Sequence, residues 1–403
     1  MDTKKKLLKK LGQLLTLFQQ TRASFGLGSK KLAKRINDGF MVLKEFDLKR
    51  RAKLMEISDP RRISFLACGN DPLANSLLNQ YPTTVRYTNI EFRTASSIHF
   101  GLPVDACKHI IGLTIRDADR GRIVVDKHGY NLMNASNLTG DHRRILHDEA
   151  TGVFFPFLRQ AGIDYVGGKN NTAKNIFVHV LRDNVRERHL QGIIPDAIIK
   201  GEGFAQIVPD SIFSGVSTLV DTKTIGPMSY FSERAEGHFV VNKRAEEVNR
   251  EYYSHARALD TQFNNTEPNT IGPVQQILRS YGANGKVVGL AIGTFAECSS
   301  DFHNLRKFVA SVLADKDVLG TNITVGEVKG RIAKKFFAIM GHTIHRGWAR
   351  LLLDRISRIL NREAQAAETN DNNSENNLNH NGDHLNVDLD NFHNFTHLHF
   401  SQE

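Results

Sequence analysis

Apolar residues recur along the chain with two different periods, and the change from one to the other marks out the elements. Near the start, Leu7, Leu8, Leu11, Leu14, Leu15 and Phe18 repeat at helical spacing. After the Ser58-Asp59-Pro60 turn come two short apolar pieces, Ile63 to Cys68 and Ile90 to Phe100, closed by Gly101-Leu102-Pro103. From Ile110 to Val125, alternation around Asp117, Asp119 and Gly121 predicts a small hairpin. Asp141 stands as an N-cap ahead of Ile145, Leu146, Ala150, Val153, Phe154 and Leu158, a helix that Ala161-Gly162 stops. Three strand-like runs follow, Asn175 to Leu181, Ile193 to Lys200 and Ser217 to Ile225. A long helical pattern from Asn242 to Phe263, a short helix after Gly272-Pro273, an apolar strand from Lys286 to Ile292 and a helix from Asp301 to Asp315 complete the set. This order predicts the α/β (α+β) class: a mixed sheet with helices on both faces, built on an αβββαβ core, neither a sandwich nor a doubly wound repeat.

Outside that core the pattern changes character. Val325 to Arg362 reads as basic and helical, whereas the segment beyond is rich in Asn, Asp and His with little apolar content, which predicts disorder. The boundaries drawn from these shifts are a basic helical arm over 1–60, a small auxiliary module over 61–138, the core over 139–320, a basic helical segment over 321–362 and the tail over 363–403.

Charge sharpens this division. The net charge of the 403 residues is +10, yet residues 1–362 hold all 53 Lys and Arg and 35 of the 43 acids, an excess of +18. An excess of that size favours an anionic partner, nucleic acid before membrane. Lys4, Lys5, Lys6, Lys9 and Lys10 on the first helix are candidate phosphate contacts. Arg244 and Arg257, interleaved with Tyr252 on the helix after the third strand, are candidates to hold phosphates and stack on bases. No apolar run reaches the roughly 18 residues that span a bilayer, and the basic start lacks a signal-type apolar stretch. With three scattered cysteines and no disulfide framework, the expected location is intracellular, nuclear or cytoplasmic, and not secreted.

The candidate chemistry lies on the second and third strands of the core. Ile194-Pro195-Asp196-Ala197-Ile198 puts a carboxylate at the entrance of an apolar strand, and Leu219-Val220-Asp221-Thr222-Lys223 puts a carboxylate and an ammonium two apart on another. Period-2 geometry sends Asp221 and Lys223 to one face. If the strands are neighbours, Asp196, Asp221 and Lys223 converge, the two acids as ligands for Mg²⁺ or Mn²⁺ and the lysine as an aid to water attack or charge stabilisation on a phosphate. Pro209-Asp210 offers a second Pro-Asp, so Asp210 competes with Asp196 as the first carboxylate. Cys298 lacks a His/Asn arrangement that would make it a nucleophile, and the glycines around Gly289 and Gly293 form no phosphate-binding motif.

The Pro-Asp, a spacer and Asp-x-Lys resemble the PD-(D/E)xK nuclease superfamily, which has a restriction-endonuclease-like fold. That resemblance implies a metal-dependent nuclease acting on nucleic acid, DNA in the first place, with a further acid from the first helix. Glu149 or Asp148 would supply that acid, with His147 assisting, and Asp196, Asp221, Lys223 and Glu149 become the implied catalytic set. Separated blocks at 89–103, 140–148, 194–199, 219–225, 243–260, 271–274 and 288–303 also resemble open reading frames repeated in diatom, dinoflagellate and other marine eukaryotic genomes, which implies a mobile-element origin and favours Asp196 over Asp210. Relatives of that kind carry a Cys/His module with a C-x-x-C pair ahead of the core. The corresponding stretch here has Cys107, His109 and His128 alone, so no structural zinc is expected. The alternative is a catalytically inactive nucleic-acid-binding protein on the same fold.

Overall fold

A computed structural model describes residues 55–375 except 70, 79–81, 83, 118–120, 136–141, 168–172, 181–186, 191, 232–236 and 318–322. The first helices are α1 (Pro60–Cys68) and α2 (Asn89–Phe100). Asp59 accepts from the Arg61 amide to start α1, and Thr88 and Glu91 form a reciprocal capping box that starts α2. Strands β1 (Thr114–Asp117) and β2 (Gly121–Val124) pair antiparallel as the expected hairpin. A short helix α3 (Tyr130–Asn134) follows.

The core begins with α4 (His142–Ala161), which Gly162 ends with a φ of 65°. Its expected cap, Asp141, lies outside the described residues, as does the basic helix bearing Lys4, Lys5, Lys6, Lys9 and Lys10. Next comes β3 (Tyr165–Gly167), then a 3₁₀ turn over Ala173–Val180 and one helical turn, α5 (Glu187–Leu190). The expected strand at 175–181 is therefore corrected. Residues 175–180 of that run are helical, with Phe177 buried in the core, and Tyr165–Gly167 takes the strand position instead. The sheet continues with β4 (Ala197–Lys200) and β5 (Ser217–Ile225). Helices α6 (Gly237–Asn264) and α7 (Pro273–Ser280) precede the last strand, β6 (Val288–Gly293), and α8 (Ser300–Asp317) and α9 (Val325–Glu375) follow it. Helix α9 runs past the expected end at Arg362, so residues 363–375 are helical where disorder is expected, and 376–403 lie outside the described residues.

The class is mixed helix and strand. The four-stranded sheet has the order β3-β4-β5-β6, antiparallel at the first two pairings and parallel between β5 and β6. The parallel pairing requires a crossover, which α6 and α7 supply. Their Val248, Tyr252, Ala256, Leu259, Val274 and Leu278 bury against Ile198 and Leu219. Helices α4 and α8 pack on each other and on β5 and β6, respectively. Asp260 of α6 accepts from the amides of Val274 and Gln275, capping α7, and Gly272 leaves room for that carboxylate. Two units are distinguished, Met1–Ile356 and Ser357–Glu403, and the sheet belongs to the first.

Candidate active site

Register brings the acids together. Ala197 pairs with Val220 in the antiparallel β4–β5 ladder, so Asp196, one residue earlier, comes opposite Asp221. The Asp196 Oδ2 accepts from the Thr222 amide at 2.6 Å and from His147 Nε2 at 2.9 Å. Lys223 follows Asp221 on the same face, and its Nζ is 2.7 Å from Asp221 Oδ2. The convergence expected of Asp196, Asp221 and Lys223 is therefore present, and His147 joins it from α4. Asp148 reaches the group indirectly, its Oδ1 lying 3.1 Å from His147 Nδ1.

The electrostatics follow from burial and crowding. Burial raises the Asp221 carboxyl, and the negative charge of Asp196 adds to this against the opposing Lys223 ammonium, bringing it to about 7. Burial also works against ionisation of Asp196, but His147, the Thr222 amide and Lys223 outweigh it and hold that carboxyl below its ordinary value. For His147, burial disfavours the charged ring, yet Asp196 and Asp148 more than compensate and raise it to about 9. The pair thus has one ionised acid held by an imidazolium and one acid poised near neutrality.

Other expected residues fall elsewhere. Glu149 is turned away from the acids: its Oε1 lies 3.5 Å from Arg350 Nη1 and 3.7 Å from Arg346 Nη2 on α9. Residues two apart on a helix are separated by about 200°, so His147 and Glu149 cannot both face the sheet edge. Asp210 is exposed in the connection between β4 and β5, ten residues past the end of β4. Tyr252 is buried at 3 % exposure in the α6 core beside Asp221 and Asp196, which corrects its expected role as a base-stacking surface residue. Arg244 is engaged by Glu247 and Glu251, whereas Arg257 is exposed.

The chain matches no protein-family profile, no curated protein and no solved structure. Among the described residues no helix is long and apolar enough to cross a membrane.

Two acids facing each other across neighbouring strands, one of them driven towards neutrality by burial and by the other's charge, form an oxygen donor set that could hold a hard divalent cation. Glu251 was missed by sequence reasoning. Arg244 holds its carboxyl below the ordinary value, and Lys223 contributes, so Glu251 lies within electrostatic reach of the lysine at the rim. No motif flagged it, because its approach depends on how α6 crosses the sheet.

Proposed function

We propose that the chain is a divalent-metal-dependent nuclease, hydrolysing phosphodiester bonds of nucleic acid and of DNA in the first place. The observation that carries this reading is the opposition of Asp196 and Asp221 on adjacent antiparallel strands, with Lys223 two residues on. The order helix, three antiparallel strands, helix and parallel strand agrees with what the PD-(D/E)xK resemblance implies for a restriction-endonuclease-like core. Asp196 and Asp221 are the residues that would hold Mg²⁺ or Mn²⁺, which supplies polarisation of the phosphate and a bound water of lowered pKa. Lys223 offers a positive charge to the phosphate oxygens as the pentavalent state forms, or orients the attacking water. His147 keeps Asp196 ionised and fixed through Oδ2. The resemblance to mobile-element reading frames extends the proposal to an element-derived enzyme.

The test is cleavage of a panel of duplex and single-stranded DNA and RNA by the full chain, with Mg²⁺, Mn²⁺ or chelator. We expect metal-dependent cleavage that Asp221→Asn and Lys223→Ala each lower by about 100-fold or more. Undiminished cleavage by Asp221→Asn would sink the proposal.

One observation favours a second reading, a nucleic-acid-binding protein without catalysis. The helix acid expected to complete the set, Glu149, is paired to α9 arginines. Calorimetry separates the two: absence of Mn²⁺ binding alongside salt-sensitive DNA binding supports the second reading.

A further inference from the structure

A second cluster joins residues that are distant in the chain. After β6 the chain turns through Thr294 to Ser299, all buried, with Ala296 at a φ of 63°, and Cys298 pairs back to Ile292. Helix α8 starts two residues after Cys298 and carries His303 on its first turn. Asp71 arrives from the loop behind α1. Its Oδ1 is anchored by the Leu73 amide at 2.8 Å, which leaves Oδ2 aimed at the turn. That oxygen lies 3.3 Å from His303 Nε2 and 3.1 Å from the Cys298 amide, and Cys298 Sγ lies 3.4 Å from the same Nε2. The three donor atoms are all within 4.8 Å of one another.

These separations have a chemical meaning. A tetrahedral zinc ion with bonds of about 2.3 Å to sulfur and about 2.0–2.1 Å to nitrogen and oxygen keeps its donors about 3.3–3.6 Å apart. Both edges that meet at His303 fall in that range. A thiol, an imidazole and a carboxylate form a borderline-soft set that suits zinc and not magnesium. A nucleophilic triad is a poorer account, because it divides the two ring nitrogens between thiol and acid, whereas here Nε2 meets both.

We propose that Asp71, Cys298 and His303 bind a zinc ion, with water in a fourth position supplied from the adjoining cleft. That cleft has a volume of about 510 Å³ and is lined in part by His303, Asn304, Arg306, Lys307 and Phe337. Thiolate and carboxylate together balance the charge of the ion, and Arg306, stacked 4.6 Å over the Phe337 ring, lines the cleft beside it. The ion ties the loop behind α1 to the turn after β6, across 227 positions of sequence, so its binding free energy adds to folding. This site is separate from the Asp196–Asp221 pair and stands without the nuclease reading. It differs from the expectation of no zinc, which concerned Cys107, His109 and His128.

The experiment is titration of the metal-stripped full chain with Co²⁺ as a spectroscopic probe. The expected result is one thiolate-bound ion per chain: intense visible bands of tetrahedral cobalt, a thiolate-to-cobalt charge-transfer band in the near ultraviolet and displacement of both by stoichiometric Zn²⁺, while cobalt held by oxygen ligands alone at the Asp196–Asp221 pair adds no charge-transfer band. Cys298→Ser should abolish the charge-transfer band. His303→Asn, at a partly exposed helix position with little risk to folding, should weaken Co²⁺ binding by about tenfold or more. Asp221→Asn should leave all of these signals unchanged. A wild-type protein without the charge-transfer band overturns the assignment, and so does a Cys298→Ser or His303→Asn variant that folds and binds as the wild type does. If Cys298→Ser does not fold, His303→Asn decides alone.

Discussion

Asp221 occupies a buried strand position where an uncharged side chain would hold the sheet better. Its carboxyl is raised to about 7 by burial and by Asp196. A raised acid favours the neutral form in the fold. The penalty is therefore absent below the unfolded value near 3.8, grows as pH rises through about 7, and is complete at pH 8. Three units correspond to about 4 kcal/mol as an upper bound, reduced by whatever relaxation the Lys223 ammonium allows. In chelator, Asp221→Asn should accordingly raise the urea midpoint at pH 8 and change it little at pH 4, while under the nuclease proposal the same variant with Mg²⁺ present loses cleavage. Loss of stability at pH 8 would mean that the Lys223 contact outweighs burial. Stabilisation by removal of a candidate catalytic group is the trade expected where function requires a strained charge.

At the scale of elements, α2 and α9 meet through histidines. The rings of His99 and His345 lie 5.2 Å apart, and His99 Nδ1 is 3.6 Å from Cys68 Sγ of α1. His345 Nε2 donates to the Ala74 carbonyl. Burial lowers His99 to about 4, and burial, His99 and His342 lower His345 well below its ordinary value. A depressed histidine is neutral in the fold, so its stability is full above about 6.5 and is lost as pH falls towards the folded value. At pH 5 His99 should cost about 2 kcal/mol, and His345 adds in the same direction. Urea unfolding at pH 7.5 and pH 5 should show a loss of stability, and His99→Leu should reduce it by the His99 share. An unchanged acid slope in that variant would exclude the pair as its source.

How far these elements were legible depends on the range of the signal. Helices α4, α6 and α8 and strands β5 and β6 are long enough for periodicity to declare them, and the pairing of Asp196 with Asp221 follows from one register. Strand β3, three residues long, is too short to show a period, while the alternation at 175–181 reflects Phe177 filling the core from a 3₁₀ turn. Helices α1 and α2 read only as apolar pieces, although Thr88 and Glu91 spell a capping box. The choice among His147, Asp148 and Glu149 required the rotation of α4 about its axis. Asp71 could not be joined to Cys298 and His303 from spacing at all, because tertiary packing alone brings them together.

At the scale of the whole molecule, the +18 excess is less available than its size suggests. Along α9, Arg346 and Arg350 are engaged with Glu149, Arg350 also with Glu91, and Arg355 donates to the Leu132 carbonyl from a buried position. Arg331, Lys334 and Lys335 remain exposed on the same helix. The surface that can meet a phosphate backbone is thus smaller than the basic block at 325–362 implies, and competition from nearby acids matters more. Residues 376–403 carry Asp383, Asp388, Asp390 and Glu403 with no Lys or Arg. Tethered to the chain, these acids act as a local polyanion whose effect on exposed cations is felt within a Debye length, about 10 Å at 0.1 M salt. Truncation after Glu375, which leaves α9 whole, should tighten DNA binding about two- to fivefold at 50 mM salt, and the two proteins should converge at 300 mM as screening removes the competition. Fluorescence anisotropy across that range reads both effects. Equal affinities at every salt concentration would show that the acidic segment does not compete for the exposed cations.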